Sequence, residues 1–581
     1  MWMLLFSYKK SCERDLFELK DGKFMEEYLV LAGLIVFIVL FIFVKGAYDE
    51  KKKEKQFIKD LYKNYGQFPN KKYEVTQYNS IRKYFEKHKD GFFIDDITWN
   101  DLDMDAVFMQ MNHTYSSAGE EYLYYTLRNP VMKEELLKKR EEKVRFFMEN
   151  EDIRVKTQVL FAKMGKTGKF SIYDYLDFLE AVEDISNWKH YLGNIAFIIA
   201  IILIFFNGSF GITCAIAVIC LNMITYFKYK SKMEPYIISF GYIMRMLKMA
   251  DVLMKEKIPV LSEEEKELKQ LTKQFNKFKK GSWWLMSPTR MSGAGDPLSI
   301  VFDYIRMVFH IDIIKFNNMM TEARGHKKEI DGIVGIFGSI ETMIAIGAYR
   351  ASMEEWSVPE FSKELICLEN AYHPLIENPV KNSISVKRGV LLTGSNASGK
   401  STFLKTVAIN AILAQTINTC MAGKYVGDFY HIYSSMALRD NLGDGESYYI
   451  VEIKSLKRII DAGTADTKIL CFVDEVLRGT NTVERIAAST QILKSFAGKN
   501  TVCFAATHDI ELTTLLEKEY ENYHFEEEVR DGDVFFNYEL KEGKARTRNA
   551  IKLLSVMGYE KNIIEKAESM AENFLKEGIW K

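Results

Sequence analysis

The chain predicts an α/β nucleotide-binding domain built on a doubly wound, mostly parallel sheet, preceded by a long-helical region with transmembrane helices. Three observations predict it. Residues 393–402 read TGSNASGKST directly after the apolar run Val390, Leu391, Leu392. Residues 467–475 read TKILCFVDE, an apolar strand that ends in two acids. Residues 28–44 and 191–227 contain no charged side chain.

The 581 residues are enough for several domains and a sizeable core. With 78 basic and 79 acidic residues the net charge is -1, so bulk electrostatics give no reason to expect nucleic acid; any basic patch has to be local. The seven cysteines form no CxxC pair and have no histidine at metal spacing, which argues against zinc and against a disulfide framework. They read as buried thiols in a reducing compartment.

After an amino-terminal tail (1–27), residues 28–44 form a 17-residue apolar segment flanked by Glu26, Glu27 and Lys45. Spanning the ~30 Å hydrocarbon layer takes roughly 20 helical residues, so this is a short but sufficient anchor. A cleaved signal would end in small residues, whereas this segment ends in Phe-Val-Lys. Met25 is a plausible start just before it. Residues 191–227 hold two apolar runs joined by Asn207, Gly208 and Ser209, which predicts a transmembrane helical hairpin. A hairpin returns the chain to its starting side, so residues 45–190 and 228–355, both helical, share a compartment with the nucleotide domain. A domain that uses nucleotide places that compartment in the cytoplasm, and the chain becomes a multi-pass membrane protein with three spans. Lys45, Lys51, Lys52, Lys53 and Lys55 agree with this orientation.

Gly394, Ser395, Asn396, Ala397, Ser398, Gly399, Lys400, Ser401 and Thr402 form the pattern G-x-x-x-x-G-K-[ST] between a strand and a helix. Backbone N–H groups of such a loop face phosphates, Lys400 adds a positive charge, and the Ser401 hydroxyl can ligate Mg²⁺. At the end of the second strand, Asp474 is placed to hold the Mg²⁺ and Glu475 to act as general base. A third strand, 501–506, ends in Thr507-His508, so His508 joins Lys400 and Glu475 as a candidate catalytic group. Helices at 400–415 and 482–496 interleave with these strands inside a domain at 356–546, closed by a helical segment at 547–581.

Together these residues resemble the MutS family of DNA mismatch repair ATPases, relatives of the ABC ATPases. TGSNASGKST resembles that family's phosphate loop, KILCFVDEVLRGTNT its Walker B strand and following loop, and FAATHDIELTTL its histidine segment. The stretch 371–375, AYHPL, is similar to its His-Pro element, which implies that His373 lies near the adenine of ATP. The stretch 445–453, GESYYIVEI, resembles its signature segment, which implies that Ser447 reaches the nucleotide of a second subunit and that the protein is a homodimer. Residues 95–108 and 113–131 are similar to the start of the family's core and lever region, and the tail after Arg546 to its dimer-pairing helices.

There are departures from the family. Only residues 45–92 lie between the anchor and the core, too few for the family's mismatch-reading domain. The hairpin occupies the place of levers that extend towards DNA. Leu477 stands where the family commonly has glycine. ATP and Mg²⁺ are therefore the expected cofactors. Membrane lipid and a membrane or cytoplasmic protein are the expected partners, with DNA as the alternative. Lys266, Lys269, Lys273, Lys277 and Lys280 form a basic stripe on a predicted amphipathic helix that suits phosphates or anionic headgroups, or simply solvent. Trp283 and Trp284 follow it.

Overall fold

A computed structural model describes residues 37, 41, 44–46 and 48–577, apart from 72, 182–185, 281–303, 364–365, 396–397, 437–447, 464–465, 499, 531–532, 546–550, 552–553 and 555–557. The first predicted span, the Trp283-Trp284 pair and Ser447 thus lie wholly or mostly outside the described residues. Contacts divide the chain into two units: Met1–Asn64, Asp184–Ile237 and Phe278–Met320 form one, and Tyr65–Glu183, Ile238–Lys277 and Thr321–Lys581 the other.

In the first unit the two apolar runs are helical, as the hairpin reading expects. The first is Trp188–Phe206, and the chain reverses at Asn207. The second run does not stop near 227; it belongs to a 49-residue helix, Gly208–Glu256. Trp188–Phe206 and Gly208–Lys230 are long and apolar enough to cross a membrane, and only 11% and 22% of their most apolar windows are buried within the protein. Their inner faces are polar at one level. Asn194 and Asn222 donate to the carbonyls of Phe309 and Val308, each at 2.9 Å. His190 and His310 pair through their Nδ1 atoms at 3.0 Å, and Tyr226 donates to Asp312 at 2.8 Å. Backbone carbonyls at the end of a helical turn accept from side chains here.

A third helix of sufficient length and apolarity, Lys327–Ser352, lies in the second unit with 78% of its window buried. It packs against the helices Ser117–Arg128 and Glu134–Glu149. A Cβ at Gly338 would stand 2.6 Å from the Ala118 carbonyl, so glycine is what allows this close crossing. Glu341 from the same helix accepts from the Tyr115 and Ser116 amides and from the Ser116 hydroxyl. Arg350, fully buried, donates to both oxygens of Glu141 (3.0 and 2.6 Å), to Thr419 and to the Asn418 carbonyl.

The predicted single amphipathic helix over 266–280 is two helices, Ser262–Lys273 and Asn276–Lys279, because the chain turns at Gln274 and Phe275. That turn lets Leu268, Phe275 and Phe278 all bury while the five lysines stay exposed.

The α/β part holds two sheets. A six-stranded sheet has the order β10-β9-β4-β8-β7-β6, with β4 Gly389–Thr393, β6 His431–Ser435, β7 Ile469–Asp474, β8 Thr501–Ala506, β9 Tyr520–Arg530 and β10 Asp533–Glu542. All its pairings are parallel except the β9–β10 hairpin at the edge. A four-stranded sheet, order β1-β5-β2-β3, comprises β1 Glu360–Phe361, β2 Ile366–Ala371, β3 Asn382–Val386 and β5 Lys424–Gly427. Every residue of β4 and β7 is buried, as central parallel strands require. Cys471, Val473, Cys503 and Ala505 face a cluster formed with the helices Tyr448–Ala462 and Thr482–Phe496. Strand alternation leaves the other face to the helix Lys400–Ile417, which contacts β7 and β8. The sheet is covered on both sides, as expected of a doubly wound domain.

Removing Glu141 would leave the Arg350 guanidinium buried without its carboxylate. Glu141→Ala should therefore lower stability by about 3 kcal/mol, the usual cost of breaking a buried pair from one side. Denaturant unfolding of the purified protein measures it.

Candidate functional site

The site is assembled by strand register. Leu392 of β4 and Asp474 of β7 both pair with Ala506 of β8, so the three strands end in one row. One residue further on, the Glu475 amide donates to the Ala506 carbonyl and the Thr507 amide to the Leu392 carbonyl, both at 2.9 Å. The groups that follow, Gly394 onward, Asp474-Glu475 and Thr507-His508, are therefore delivered to the same edge.

The glycine-rich loop bends from β4 into the helix Lys400–Ile417. Gly394 has φ +142° and sits 2.7 Å, measured from an added Cβ, from the Phe525 carbonyl, so no side chain fits there. Lys400 is 5% exposed and donates to the carbonyls of Gly394 (2.9 Å) and Ser395 (2.7 Å). Burial lowers the Lys400 pKa, and the carboxylates of Asp474 and Glu475 oppose that shift. The Ser395 hydroxyl donates to Glu527 at 2.8 Å. The buried Ser398 hydroxyl has no partner among the described residues. Asn396 and Ala397 are outside those residues.

The Ser401 hydroxyl donates to Asp474 at 2.5 Å. An oxygen-only pair of this kind, a hydroxyl and a carboxylate, fits a magnesium ion better than a soft metal. Glu475 is held from two sides, by His508 at 2.8 Å and by Arg478 at 2.5 Å. The hydrogen bond from His508 is the main reason its pKa lies below the ordinary glutamate value, with Arg478 and Lys400 adding to it. Lys400, Ser401, Thr402, Gly399 and Glu475 line a cavity of about 620 Å³. His373 lies on the same cavity, next to Ile376 and Val380.

Two cavity residues, Tyr538 and Phe525, and two residues that brace the site, Glu527 and Arg478, carry no local sequence signal. Tyr538 and Phe525 come from the β9–β10 hairpin, Glu527 holds the loop from β9, and Arg478 braces Glu475. Tyr538 adopts φ +55° where β10 is irregular. Asn382 of β3 pins that irregularity by donating to the Tyr538 carbonyl (3.0 Å) and accepting from the Leu540 amide (2.7 Å).

Residues 390–575 match the family model of MutS domain V, which spans the loop, both acids, the histidine and the β9–β10 hairpin. Over this stretch the chain is similar to domain V of the MutS family. The DNA mismatch repair protein MutS of Thermotoga maritima is 29% identical over 272 residues, covering 45% of this chain and 34% of the relative. The DNA mismatch repair protein MutS of Borrelia garinii subsp. bavariensis is 28% identical over 274 residues, covering 45% and 31%. The match thus spans about a third of the length of these curated relatives. Members of the MutS family are ATPases that use ATP with Mg²⁺.

Burial lowers the His373 pKa to about 4, below its ordinary value of 6.5. The folded state therefore refuses a proton that the unfolded state accepts. Stability should fall as pH drops from about 6.5 towards 4, by up to ~1.4 kcal/mol per pH unit from this residue. In melting curves between pH 7.5 and 5, His373→Gln should flatten that loss.

Proposed function

We propose that the chain is a membrane-anchored ATP hydrolase that works as a homodimer with composite sites and couples turnover to movement of its helical region at the membrane. The observation that carries this reading is the convergence of Lys400, Ser401, Asp474, Glu475 and His508 from three strand ends on one edge of the sheet. Lys400 and the loop amides bind the β- and γ-phosphates, a role that fits a lysine aimed at the loop carbonyls of Gly394 and Ser395. Gly394, Ser395, Asn396, Ala397, Ser398, Gly399 and Thr402 shape the cradle. Ser401 and Asp474 would hold Mg²⁺, which supplies charge neutralisation at the phosphates when bound. Glu475 takes the proton of the attacking water, and its depressed pKa keeps it ionised at neutral pH. His508 fixes the direction of that carboxylate. His373, Ile376 and Val380 offer a largely apolar lining for the base. Ser447 of one copy completes the site of the other.

The membrane part of the proposal is supported by the exposed apolar faces of Trp188–Phe206 and Gly208–Lys230. Phe205 and Phe206 at the hairpin tip are 86% and 83% exposed, which water would penalise and lipid would not. In the alternative reading the chain is a DNA-binding MutS homologue tethered to the membrane. The likeness to DNA mismatch repair proteins and the five exposed lysines at 266, 269, 273, 277 and 280 favour it.

The decisive experiment is ATP turnover of the purified protein in lipid discs, with and without homoduplex and mismatched DNA. Turnover is expected, insensitive to DNA. Strong mismatch-specific stimulation would transfer support to the alternative. Glu475→Gln should keep ATP binding and trap a dimer while turnover falls on the order of 100-fold or more. Lys400→Ala should weaken nucleotide binding at least about tenfold, because a charge-assisted phosphate contact is lost. Undiminished turnover by Glu475→Gln would remove Glu475 as the base.

A further inference from the structure

We infer that Glu452 is a positioning residue for hydrolysis, through which the helix Tyr448–Ala462 holds the loop that presents Glu475 and ties it to the helical region at Asp95. The inference rests on the function proposed above. Glu452 is 4% exposed and does not line the cavity. Its Oε1 accepts the Leu477 N–H, two residues beyond Glu475.

That loop needs holding. Glu475 and Leu477 both lie in the left-handed region, at φ +57° and +59°, where non-glycine residues rarely sit. Two of the loop's anchors come from its immediate surroundings. The Glu475 amide bonds to Ala506 of the next strand, and the Val476 carbonyl accepts from Ser489 at 3.2 Å. The contact from Glu452 comes from the helix Tyr448–Ala462, and Tyr449 at the start of that helix lies close against Gly479 of the same loop.

Two turns along the same helix, Arg458 makes the second connection. It donates to Asp95 and, at 2.5 Å, to the Ser434 carbonyl at the end of β6. Asp95 is itself the cap of the helix Asp96–Asp101, accepting the Thr98 amide at 2.8 Å. That helix grips the end of β6 further. Asp101 accepts from the Ser434 hydroxyl (2.6 Å) and the Met436 amide (2.9 Å), and Thr98 accepts from the Ser434 amide (3.1 Å). The result is a continuous run of direct contacts from Asp95 through Arg458, the helix and Glu452 to the loop of Glu475. A packed helix bonded at both places passes a displacement at one to the other.

The test compares Glu452→Ala, Glu452→Gln and Arg458→Ala in the full chain in lipid discs, reading ATP kcat, the dissociation constant of a fluorescent non-hydrolysable ATP analogue, and Tm. Glu452→Ala should lower kcat by roughly tenfold to a hundredfold, the scale of a small displacement of a catalytic group, and leave analogue binding within about twofold. Glu452→Gln keeps an oxygen for the Leu477 amide and should recover most of kcat. Arg458→Ala should lower kcat, with no further loss when added to Glu452→Ala, as expected of residues in one linkage. If Glu452→Ala does not fold, Glu452→Asp, whose carboxylate stops one methylene short, should show the same split. Wild-type kcat in Glu452→Ala, or a Gln variant as impaired as Ala, would overturn the inference. Loss of kcat and analogue binding together with Tm would overturn it too, since that is what a merely structural residue gives. A wild-type protein that binds the analogue but turns over no ATP would instead sink the proposed function, and this inference with it.

Discussion

Everything at the candidate site depends on three strands keeping one parallel register. Leu392, Ala506 and Asp474 lie in a single row, and the residues beyond them are a lysine loop, an acid pair and a histidine. A slip of one residue would turn every side chain of a strand to the opposite face and send Asp474 away from Ser401. The register is protected because β4 and β7 are buried along their whole length and covered on both faces, so a slip would have to repack two helix layers at once. Parallel strands also force crossover connections, and those connections leave the strand ends free at one edge for function.

The second constraint is charge. Lys400, Asp474 and Glu475 are crowded in a partly buried space where an unpaired charge is costly. The structure balances them internally: Lys400 is solvated by two loop carbonyls, Asp474 by the Ser401 hydroxyl, and Glu475 by His508 and Arg478. Each of these partners is a weak or exchangeable ligand. Phosphate oxygens can replace the carbonyls at Lys400, and a cation can enter between Ser401 and Asp474.

What the sequence made legible was local. The runs VLL, ILCFV and VCFAA are apolar and short, and each stops at a group with chemistry, so β4, β7 and β8 and their end residues could be placed directly. The β9–β10 edge was not, because YENYHFEEEVR has more polar than apolar residues and breaks the alternation expected of a strand at Glu526, Glu527 and Glu528. Glu527 and Tyr538 reach the loop and Asn382 only across separations of 132 and 156 residues. No periodicity encodes such a meeting. Lys327–Ser352 shows the converse limit: its apolar window is long enough to cross a membrane, but it carries Glu341 and Arg350 and packs against Ser117–Arg128 and Glu134–Glu149 as a core helix. The break at Gln274–Phe275 escaped because lysines every third or fourth residue look the same on one helix as on two.

Leu477 shows how a departure from a family pattern can be physically consistent. A glycine there would adopt φ +59° freely, whereas leucine pays about 1 kcal/mol or more to do so. Against that cost the Leu477 side chain is 2% exposed, in the same buried cluster as Leu456 and Ile459 of the helix Tyr448–Ala462. Burying a leucine is worth roughly 1.5–3 kcal/mol, which more than offsets the backbone strain. The two alternatives differ in what they make the loop depend on. Glycine would give a loop that takes its shape from its own backbone freedom. Leucine gives a loop whose shape depends on the buried cluster it joins, to which that helix contributes Leu456 and Ile459. In this chain the geometry around Glu475 is therefore conditional on the position of a neighbouring helix, and that helix is in turn bonded to Asp95 at the beginning of the helical region.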